Sequence, residues 1–177
     1  MGAGRAVDHL RCGAWLTVTQ LFLDVDGVLA DFDGGVVRIT GLPPEELEKQ
    51  RGRGGFWKAL ARAEGFYANL DPLPGAPQMV EQLRHLEPIL LTGLPLGKWA
   101  APQKRKWAKQ HFPDLKIVTC MARDKWRYAR PGDVLVDDRE KARNPWVEKG
   151  KGRFVLHRSP ETTLEELSWI FPSVSTA

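Results

Sequence analysis

Short apolar runs alternate along this chain with segments in which apolar residues recur every three or four positions. Apolar runs bounded by turn residues are typical of buried strands, and the longer repeat is typical of amphipathic helices. Five runs predict strands, at residues 15–23, 88–92, 115–119, 133–137 and 153–157. Because strands that alternate with helices form parallel sheets covered on both faces, the pattern predicts an α/β fold.

Three amphipathic helices are predicted beside these strands. Pro77 and Pro102 each open one, a position at which proline is favoured, and the third lies near the C-terminus. Their apolar positions are Val80, Leu83 and Leu86, then Trp107, Ala108 and Phe112, then Leu164, Leu167 and Ile170.

One interval, residues 33–73, lacks a clear strand. It holds two short helical patterns, at 44–51 and 56–64, separated by a glycine-rich stretch. An insert of this kind directly after the first strand predicts a small helical cap. With 177 residues and a loose N-terminus at 1–14, we expect one domain over 1–177 that includes this cap.

The net charge and the lack of long apolar segments limit the kinds of substrate and location to be expected. The net charge of +4 and pI near 9.2 favour an anionic substrate. Part of the charge comes from residues 98–109, where Lys104 is expected either to reach a substrate phosphate or, as in most basic helices, to be solvated. Since no segment has the apolar length of a membrane span or of a secretory signal, we expect a cytoplasmic protein without membrane contact.

The first predicted strand ends in two aspartates, Asp24 and Asp26, followed by Gly27. The carboxyl end of a parallel strand is where open α/β sheets place their chemistry. Alternating side chains put both carboxylates on the same side of the chain, so their repulsion requires a metal ion or a retained proton. Both solutions favour a catalytic site.

The segment from Asp24 to Ala30 resembles the first motif of the haloacid dehalogenase (HAD) superfamily of phosphatases. This resemblance implies a HAD-type, Rossmann-like parallel sheet with helices on both faces and a small helical cap inserted after the first strand. It also implies that Asp24 is the nucleophile and that Asp26 is the general acid and base.

Three further motifs of the superfamily follow in order. Thr92 and Gly93 end the second predicted strand, where a hydroxyl and an amide can donate to phosphate oxygens. Lys125 corresponds to the lysine that neutralises charge at the nucleophile and binds phosphate. Asp137 and Asp138 then close the fourth strand.

The resemblance implies that Mg²⁺ is the cofactor. Asp24, the main-chain carbonyl of Asp26 and the Asp137–Asp138 pair form an all-oxygen ligand set, which a hard cation prefers. One aspartate of the pair is expected to ligate the metal directly and the other to orient a bound water or Lys125. The sequence leaves open which aspartate does which.

Within the superfamily the chain is most similar to the 5′(3′)-deoxyribonucleotidases, over residues 21–157. The segments that match this family lie at residues 65–76, 104–107, 123–125 and 137–139. Two features depart from that family: the cap is shorter, and Gly93 stands where serine is usual. The resemblance implies hydrolysis of (deoxy)nucleoside monophosphates through an aspartyl phosphate. The aromatic residues near the cap indicate how a base could be held, and Phe32 and Trp57 are the candidates to stack on it. Lys104, at the start of its helix, is the candidate to reach the phosphate.

Three alternatives stay open from the sequence. A polynucleotide end phosphatase would use the basic helix, a sugar or other small-metabolite phosphatase would use the same core motifs, and a binding module would retain the fold without catalysis. The expected partner is a small phosphorylated substrate, most simply a nucleotide, ahead of a nucleic acid. The aromatic residues Phe32 and Trp57 have a structural alternative as core residues of the cap. The oligomeric state is not determined by these patterns.

Overall fold

The computed structural model describes residues 19–174; the N-terminal segment 1–14 and the first part of the strand predicted at 15–23 lie outside this range. Five strands form one parallel sheet in the order β3-β2-β1-β4-β5. Their bounds are Leu21–Leu23 (β1), Ile89–Leu94 (β2), Ile117–Met121 (β3), Val134–Asp137 (β4) and Arg153–Leu156 (β5). The predicted α/β fold is confirmed.

Five α-helices connect or flank the strands, with bounds Phe32–Thr40 (α1), Pro44–Arg62 (α2), Ala76–Leu83 (α3), Ala100–His111 (α4) and Pro160–Ile170 (α5). Short 3₁₀ turns lie at Tyr67–Asn69, Arg84–Leu86, Ala122–Tyr128 and Glu140–Ala142, and one π-helical turn at Pro145–Lys149. None of the helices within residues 19–174 combines the length and the apolar character needed to cross a membrane.

Both faces of the sheet are buried, and the residues of β1 show why its sequence is apolar throughout. Leu21 and Leu23 belong to one apolar cluster, whereas Phe22 points to the opposite face and belongs to a second cluster with Trp146 and Leu135. A strand covered on both faces needs apolar residues at successive positions, not at alternate ones. This burial makes β1 a rigid base for the aspartates that follow it.

Helix α1 was not predicted from the apolar pattern. Gly34 and Gly35 weaken its helical signal, since glycine is a poor helix former. Two local contacts favour the helix instead: the Asp31 carboxylate accepts from the Gly34 amide at 2.9 Å, and α1 packs so closely that a Cβ at Gly35 would overlap Leu70. Tertiary packing, not propensity, therefore decides this element.

The two helical patterns predicted in the insert are both helical and together span α2, where a kink at the non-helical residue Gly52 (φ 65°, ψ 167°) separates them as predicted. Positive φ suits glycine, which explains the break. The insert joins the sheet through a short antiparallel stem in which Ala30 pairs with Pro72 and the Leu73 amide donates to the Leu29 carbonyl at 2.8 Å.

Candidate active site

The carboxyl ends of β1, β2 and β4 meet at one point of the sheet. Leu23, the last residue of β1, pairs with Leu90 on one side and with Val136 on the other. Asp24 therefore emerges between the ends of its two neighbouring strands, next to Asp137 at the end of β4. This point, where the strand order runs outward from β1 in both directions, is the usual site of chemistry in open α/β sheets.

Lys125 bridges two of the predicted acidic residues. Its Nζ lies 2.8 Å from Asp24 Oδ2 and 2.6 Å from Asp137 Oδ2, and its side chain is only 5% exposed. Burial disfavours the charged ammonium, but the charges of Asp24 and Asp137 outweigh burial and raise the pKa of Lys125 above its ordinary value. A buried, permanently charged lysine thus compensates the carboxylates that surround it.

Lys104 is buried, so the expectation of a solvated side chain is wrong. Its Nζ donates to Asp26 Oδ2 at 2.5 Å and to Thr92 Oγ1 at 2.9 Å, and lies 4.4 Å from the centre of the Tyr67 ring. Helix α4 turns this position toward the strand ends, where the carboxylate of Asp26 offsets the cost of burying an ammonium group. Lys104 belongs to the site and contributes nothing to the basic surface.

Asp26 has a different environment from Asp24. Burial raises the pKa of Asp26 above its ordinary range, and the nearby charge of Lys104 opposes that rise. Asp24 instead accepts from the Val25 amide at 2.8 Å through Oδ1 and from Lys125 through Oδ2. The two carboxylates at the end of β1 therefore have different partners: Asp24 contacts Lys125, and Asp26 contacts Lys104.

A metal ion fits between Asp24, Asp137 and Asp138. Oxygen atoms of these three carboxylates lie within 4.8 Å of one another. Both oxygens of Asp137 already accept hydrogen bonds, from Lys125 and from the Arg139 amide, whereas the buried Oδ1 of Asp138 has no partner among the described residues. An unpaired buried carboxylate oxygen is costly unless a cation joins it.

Asp138 approaches the strand end because of Gly27. Gly27 has a φ of +76°, and a Cβ built on it would overlap the carboxylate of Asp138. Burial and the neighbouring charges of Asp24 and Asp137 raise the pKa of Asp138 to about 7. A carboxyl with such a shift in this cluster favours the binding of a divalent ion, which would replace the proton.

Thr92 and Gly93 lie beside the charged side chains of the site, because β2 is a direct neighbour of β1 in the sheet. Thr92 is fully buried and its hydroxyl is held by Lys104. Gly93 packs against the turn that carries Lys125: a Cβ at this position would lie 2.9 Å from the Cβ of Ala122. This close approach accounts for glycine at position 93.

The cap supplies an aromatic cluster next to the acidic site. The Tyr67 ring is stacked between Phe32, at 6.1 Å and 30°, and Trp99, at 5.3 Å and 29°. Phe32 is buried and Trp57 half-buried, and their ring centres are 6.4 Å apart. The predicted contacts of Phe32 and Trp57 with a base remain predictions.

Two residues near the site were not among those predicted. Tyr67 contacts Lys104, as described, and Arg139 lies with its Nε 4.0 Å from Asp138 Oδ2. Because Arg139 directly follows Asp137 and Asp138 in the sequence, its position near the site could have been predicted. Tyr67 was visible in the sequence as one of the aromatic residues near the insert, but its contact with Lys104 depends on how the insert packs against α4.

Comparison with known proteins places the chain in a family. The model of the 5′-nucleotidase family described as "5' nucleotidase, deoxy (Pyrimidine), cytosolic type C protein" matches residues 17–166, most of the chain. The chain belongs to this family. The human 5′(3′)-deoxyribonucleotidase of cytosolic type is 31% identical over 147 residues, covering 70% of this chain and 72% of that protein.

Two other members of this nucleotidase family show how far the similarity extends. The mitochondrial 5′(3′)-deoxyribonucleotidase of Mus musculus is 32% identical over 146 residues, which are 68% of this chain but only 64% of the mouse protein. A putative 5′(3′)-deoxyribonucleotidase of Bordetella pertussis is 27% identical over 176 residues and covers 84% of this chain and 90% of its own.

The fold is shared more widely. A crystal structure described as that of a dehalogenase superimposes with a TM-score of 0.57 and 15% identity, covering 88% of this chain and 97% of that one. At this identity the likeness concerns the fold alone. Together with the family match, it confirms the assignment to the HAD superfamily.

Proposed function

We propose that this nucleotidase-family chain is a Mg²⁺-dependent phosphomonoesterase that hydrolyses (deoxy)nucleoside monophosphates through an aspartyl-phosphate intermediate. The proposal rests on one observation: two carboxylates at the end of the same strand have different lysine partners. Asp24 contacts Lys125, and Asp26 contacts Lys104. The named activity of the cytosolic and mitochondrial relatives supports the choice of substrate.

Asp24 is the proposed nucleophile. Hydrogen bonds from the Val25 amide to Oδ1 and from Lys125 to Oδ2 restrict its rotation, and the proposed nucleophile is one of these two carboxylate oxygens. Attack of this oxygen on phosphorus forms the Asp24–phosphate bond and breaks the bond to the leaving oxygen. Lys125 reduces the repulsion between the carboxylate and the phosphate.

Asp26 is the proposed acid and base. A pKa raised by burial lets its carboxyl carry a proton, and Oδ1 has no partner within the described residues. The proton passes to the leaving oxygen, and the resulting carboxylate then takes a proton from the water that hydrolyses the phosphorylated Asp24. The bond from Lys104 keeps Oδ2 occupied, which leaves Oδ1 for both transfers.

Asp24, Asp138 and the main-chain carbonyl of Asp26 are the proposed ligands of Mg²⁺. We assign Asp138 as the direct ligand of the acidic pair, because its Oδ1 lacks a partner, and Asp137 as the residue that positions Lys125. The ion, when bound, supplies positive charge for the phosphoryl oxygens. Thr92 and the Gly93 amide are the proposed neutral contacts to those oxygens.

The aromatic cap residues are the proposed contacts to the base. Trp57 is half-buried and therefore has ring surface available, whereas Phe32 contributes mainly by supporting the cluster. Base stacking on an aromatic ring is sequence-tolerant and would favour nucleotides over sugar phosphates.

The test is a substrate panel with trapping of the intermediate. Purified protein with Mg²⁺ should hydrolyse deoxynucleoside monophosphates with a higher kcat/KM than p-nitrophenyl phosphate or sugar phosphates. In Asp26→Asn the phosphorylated Asp24 should accumulate with p-nitrophenyl phosphate, whose leaving group needs no acid, and acid quenching with peptide mass spectrometry should locate the phosphoryl group. A phosphoryl group on another residue, or none in a turning-over enzyme, would contradict the mechanism.

The metal is tested separately. Activity should vanish with a chelator and return with Mg²⁺, and Asp138→Asn should weaken Mg²⁺ activation far more than Asp137→Asn does. The opposite ranking of these two matched variants would reverse the ligand assignment. Zn²⁺ as the only activating ion would contradict the hard-cation site.

We also propose a cytoplasmic location. The relative described as cytosolic supports it, while two of the matched relatives are mitochondrial. Fractionation of cells that express the full chain checks the proposal, and recovery in an organelle or membrane fraction would contradict it.

A further inference from the structure

A surface cavity lies between α1 and α2 and includes none of the residues of the acidic site. Its volume is about 510 Å³, and it is lined by Ile39, Thr40, Arg51, Gly55, Lys58, Ala59, Arg62 and Ala63. Helix α1 begins near the acidic site with Phe32, and Ile39 comes seven residues later, roughly 10 Å further along the helix axis. None of the proposed catalytic residues lines this cavity.

The charges around the cavity are all positive. Arg51, Lys58 and Arg62 supply three cationic groups, and no acidic residue is among the lining residues. All three side chains are exposed, and within residues 19–174 none of them has a carboxylate within 4.0 Å. The neighbouring acids in sequence, Glu48 and Glu64, do not contribute to the lining.

This arrangement has a local cost. Lys58 and Arg62 stand four residues apart on α2, so that they lie on one face, and like charges at this spacing destabilise a helix. The cost is removed when an anion binds between them. With no carboxylate beside them, the three cations repel one another less when an anion is bound than when the groove is empty.

The floor of the cavity is apolar and aliphatic. Ile39, Ala59 and Ala63 form it, and no aromatic side chain is present. A volume of this size falls within the range of about 300–1,000 Å³ that small-molecule sites occupy. The lack of an aromatic platform disfavours single-stranded nucleic acid, whose bases are usually held by stacking.

From these observations we infer that the groove formed by Arg51, Lys58 and Arg62 is a second, non-catalytic binding site for a small organic molecule with two or three linked phosphate groups, such as a nucleoside polyphosphate. The phosphates contact the three cations, and the organic part lies against Ile39, Ala59 and Ala63. The site goes beyond the proposed activity and does not depend on it.

The test compares two double variants that change the net charge equally. Lys58→Ala/Arg62→Ala removes two groove cations, whereas Lys49→Ala/Arg53→Ala removes two exposed cations of the same helix that do not line the groove. Binding of ATP and of inorganic triphosphate is measured by calorimetry in the presence of a chelator, with adenosine as the uncharged probe. Since all four side chains are exposed, both variants should fold, which circular dichroism verifies.

We expect the groove variant to bind ATP about tenfold more weakly or worse, because it loses two charge-assisted contacts, and the control variant to bind as the native protein does. Triphosphate should bind more weakly than ATP, and adenosine should not bind the groove. Ala59→Leu, which fills the groove without changing its charge, should also weaken ATP binding. Hydrolysis of p-nitrophenyl phosphate by the groove variant in the absence of ATP should equal that of the native protein.

Equal losses in the two double variants would overturn the inference, because diffuse charge would then account for binding. Tighter binding of an unphosphorylated single-stranded oligonucleotide than of ATP, with a steep salt dependence, would also overturn it in favour of a nucleic-acid surface. Failure of the proposed hydrolysis would appear in the native protein with p-nitrophenyl phosphate, so the two proposals fail independently.

Discussion

Replacing Lys125 by methionine tests how the acidic site is held together. The change keeps most of the side-chain volume but removes the ammonium group that contacts both Asp24 and Asp137, at 2.8 and 2.6 Å. Without it, three carboxylates whose oxygens lie within 4.8 Å of one another lose their buried cation. We expect the metal-free variant to be markedly less stable than the native protein at neutral and alkaline pH.

The magnitude follows from burial. The side chains of Lys125, Asp24 and Asp137 are 5%, 8% and 2% exposed, so solvent screens their interactions little. Removing one partner of a buried ion pair typically costs about 3–5 kcal/mol. For a chain of this size each kcal/mol lowers the melting temperature by about 2–4 °C, so the expected loss is roughly 6–20 °C.

The loss should depend on pH. Burial and neighbouring charge raise the pKa of Asp138 to about 7 and that of Asp137 above its ordinary value. A carboxyl whose folded pKa exceeds its unfolded value favours folding fully below the unfolded pKa, near 4, and loses that contribution as the pH rises through the folded pKa. The deficit of Lys125→Met should therefore be largest above pH 7 and shrink toward pH 5, and Mg²⁺ should reduce it.

The assay is thermal and urea unfolding in a chelator from pH 5 to pH 8.5, repeated with Mg²⁺. Lys116→Met, at an exposed position, is the control for loss of a lysine charge, and Lys125→Arg tests whether charge alone suffices. A variant as stable as the native protein at pH 8, or a deficit that does not change with pH, would refute the assignment of Lys125 as the compensating charge.

Four further outcomes are expected. Asp24→Asn should abolish phosphate release while circular dichroism shows an intact fold, and turnover by that folded variant would exclude the covalent mechanism. Gly27→Ala should lower Mg²⁺ affinity, measured from activation curves, because a Cβ there displaces Asp138; unchanged activation would show that Asp138 is not a ligand. Lys104→Met should lower kcat more than it raises KM, since Lys104 contacts Asp26, the proposed acid and base, and an effect confined to KM would make it a substrate contact only. Trp57→Ala should raise KM for nucleotides, by a stacking loss of roughly 1–3 kcal/mol, and leave p-nitrophenyl phosphate unaffected; equal effects on both substrates would place Trp57 in the cap core.

Sequence pattern determined the sheet and the chemistry at its edge. Strands buried on both faces are apolar along most of their length, so they could be predicted as apolar runs, and Asp24 and Asp137 could be placed at the ends of β1 and β4 from the order of residues alone. Thr92 was predicted to end the second strand, but β2 continues to Leu94. The motifs of a phosphatase site are short and local, and their order along the chain was enough to identify the superfamily.

Elements that depend on tertiary packing could not be predicted from the sequence pattern. Helix α1 contains two glycines that argue against a helix, and it forms because Asp31 caps it and because Gly35 lets it pack on Leu70. The break in α2 was predictable, because the non-helical Gly52 lies in the predicted glycine-rich stretch between the two helical patterns.

The partners of each charge were decided by the tertiary structure. Sequence could name Asp137 and Asp138 as a pair, but only their contacts show that Lys125 and the Arg139 amide occupy Asp137 while Asp138 keeps an unpaired oxygen. Lys104 lies in a basic segment that is typical of a solvated helix face, and the structure buries it beside Asp26. Pairing depends on distances between elements far apart in the chain, and local patterns carry no information about those distances.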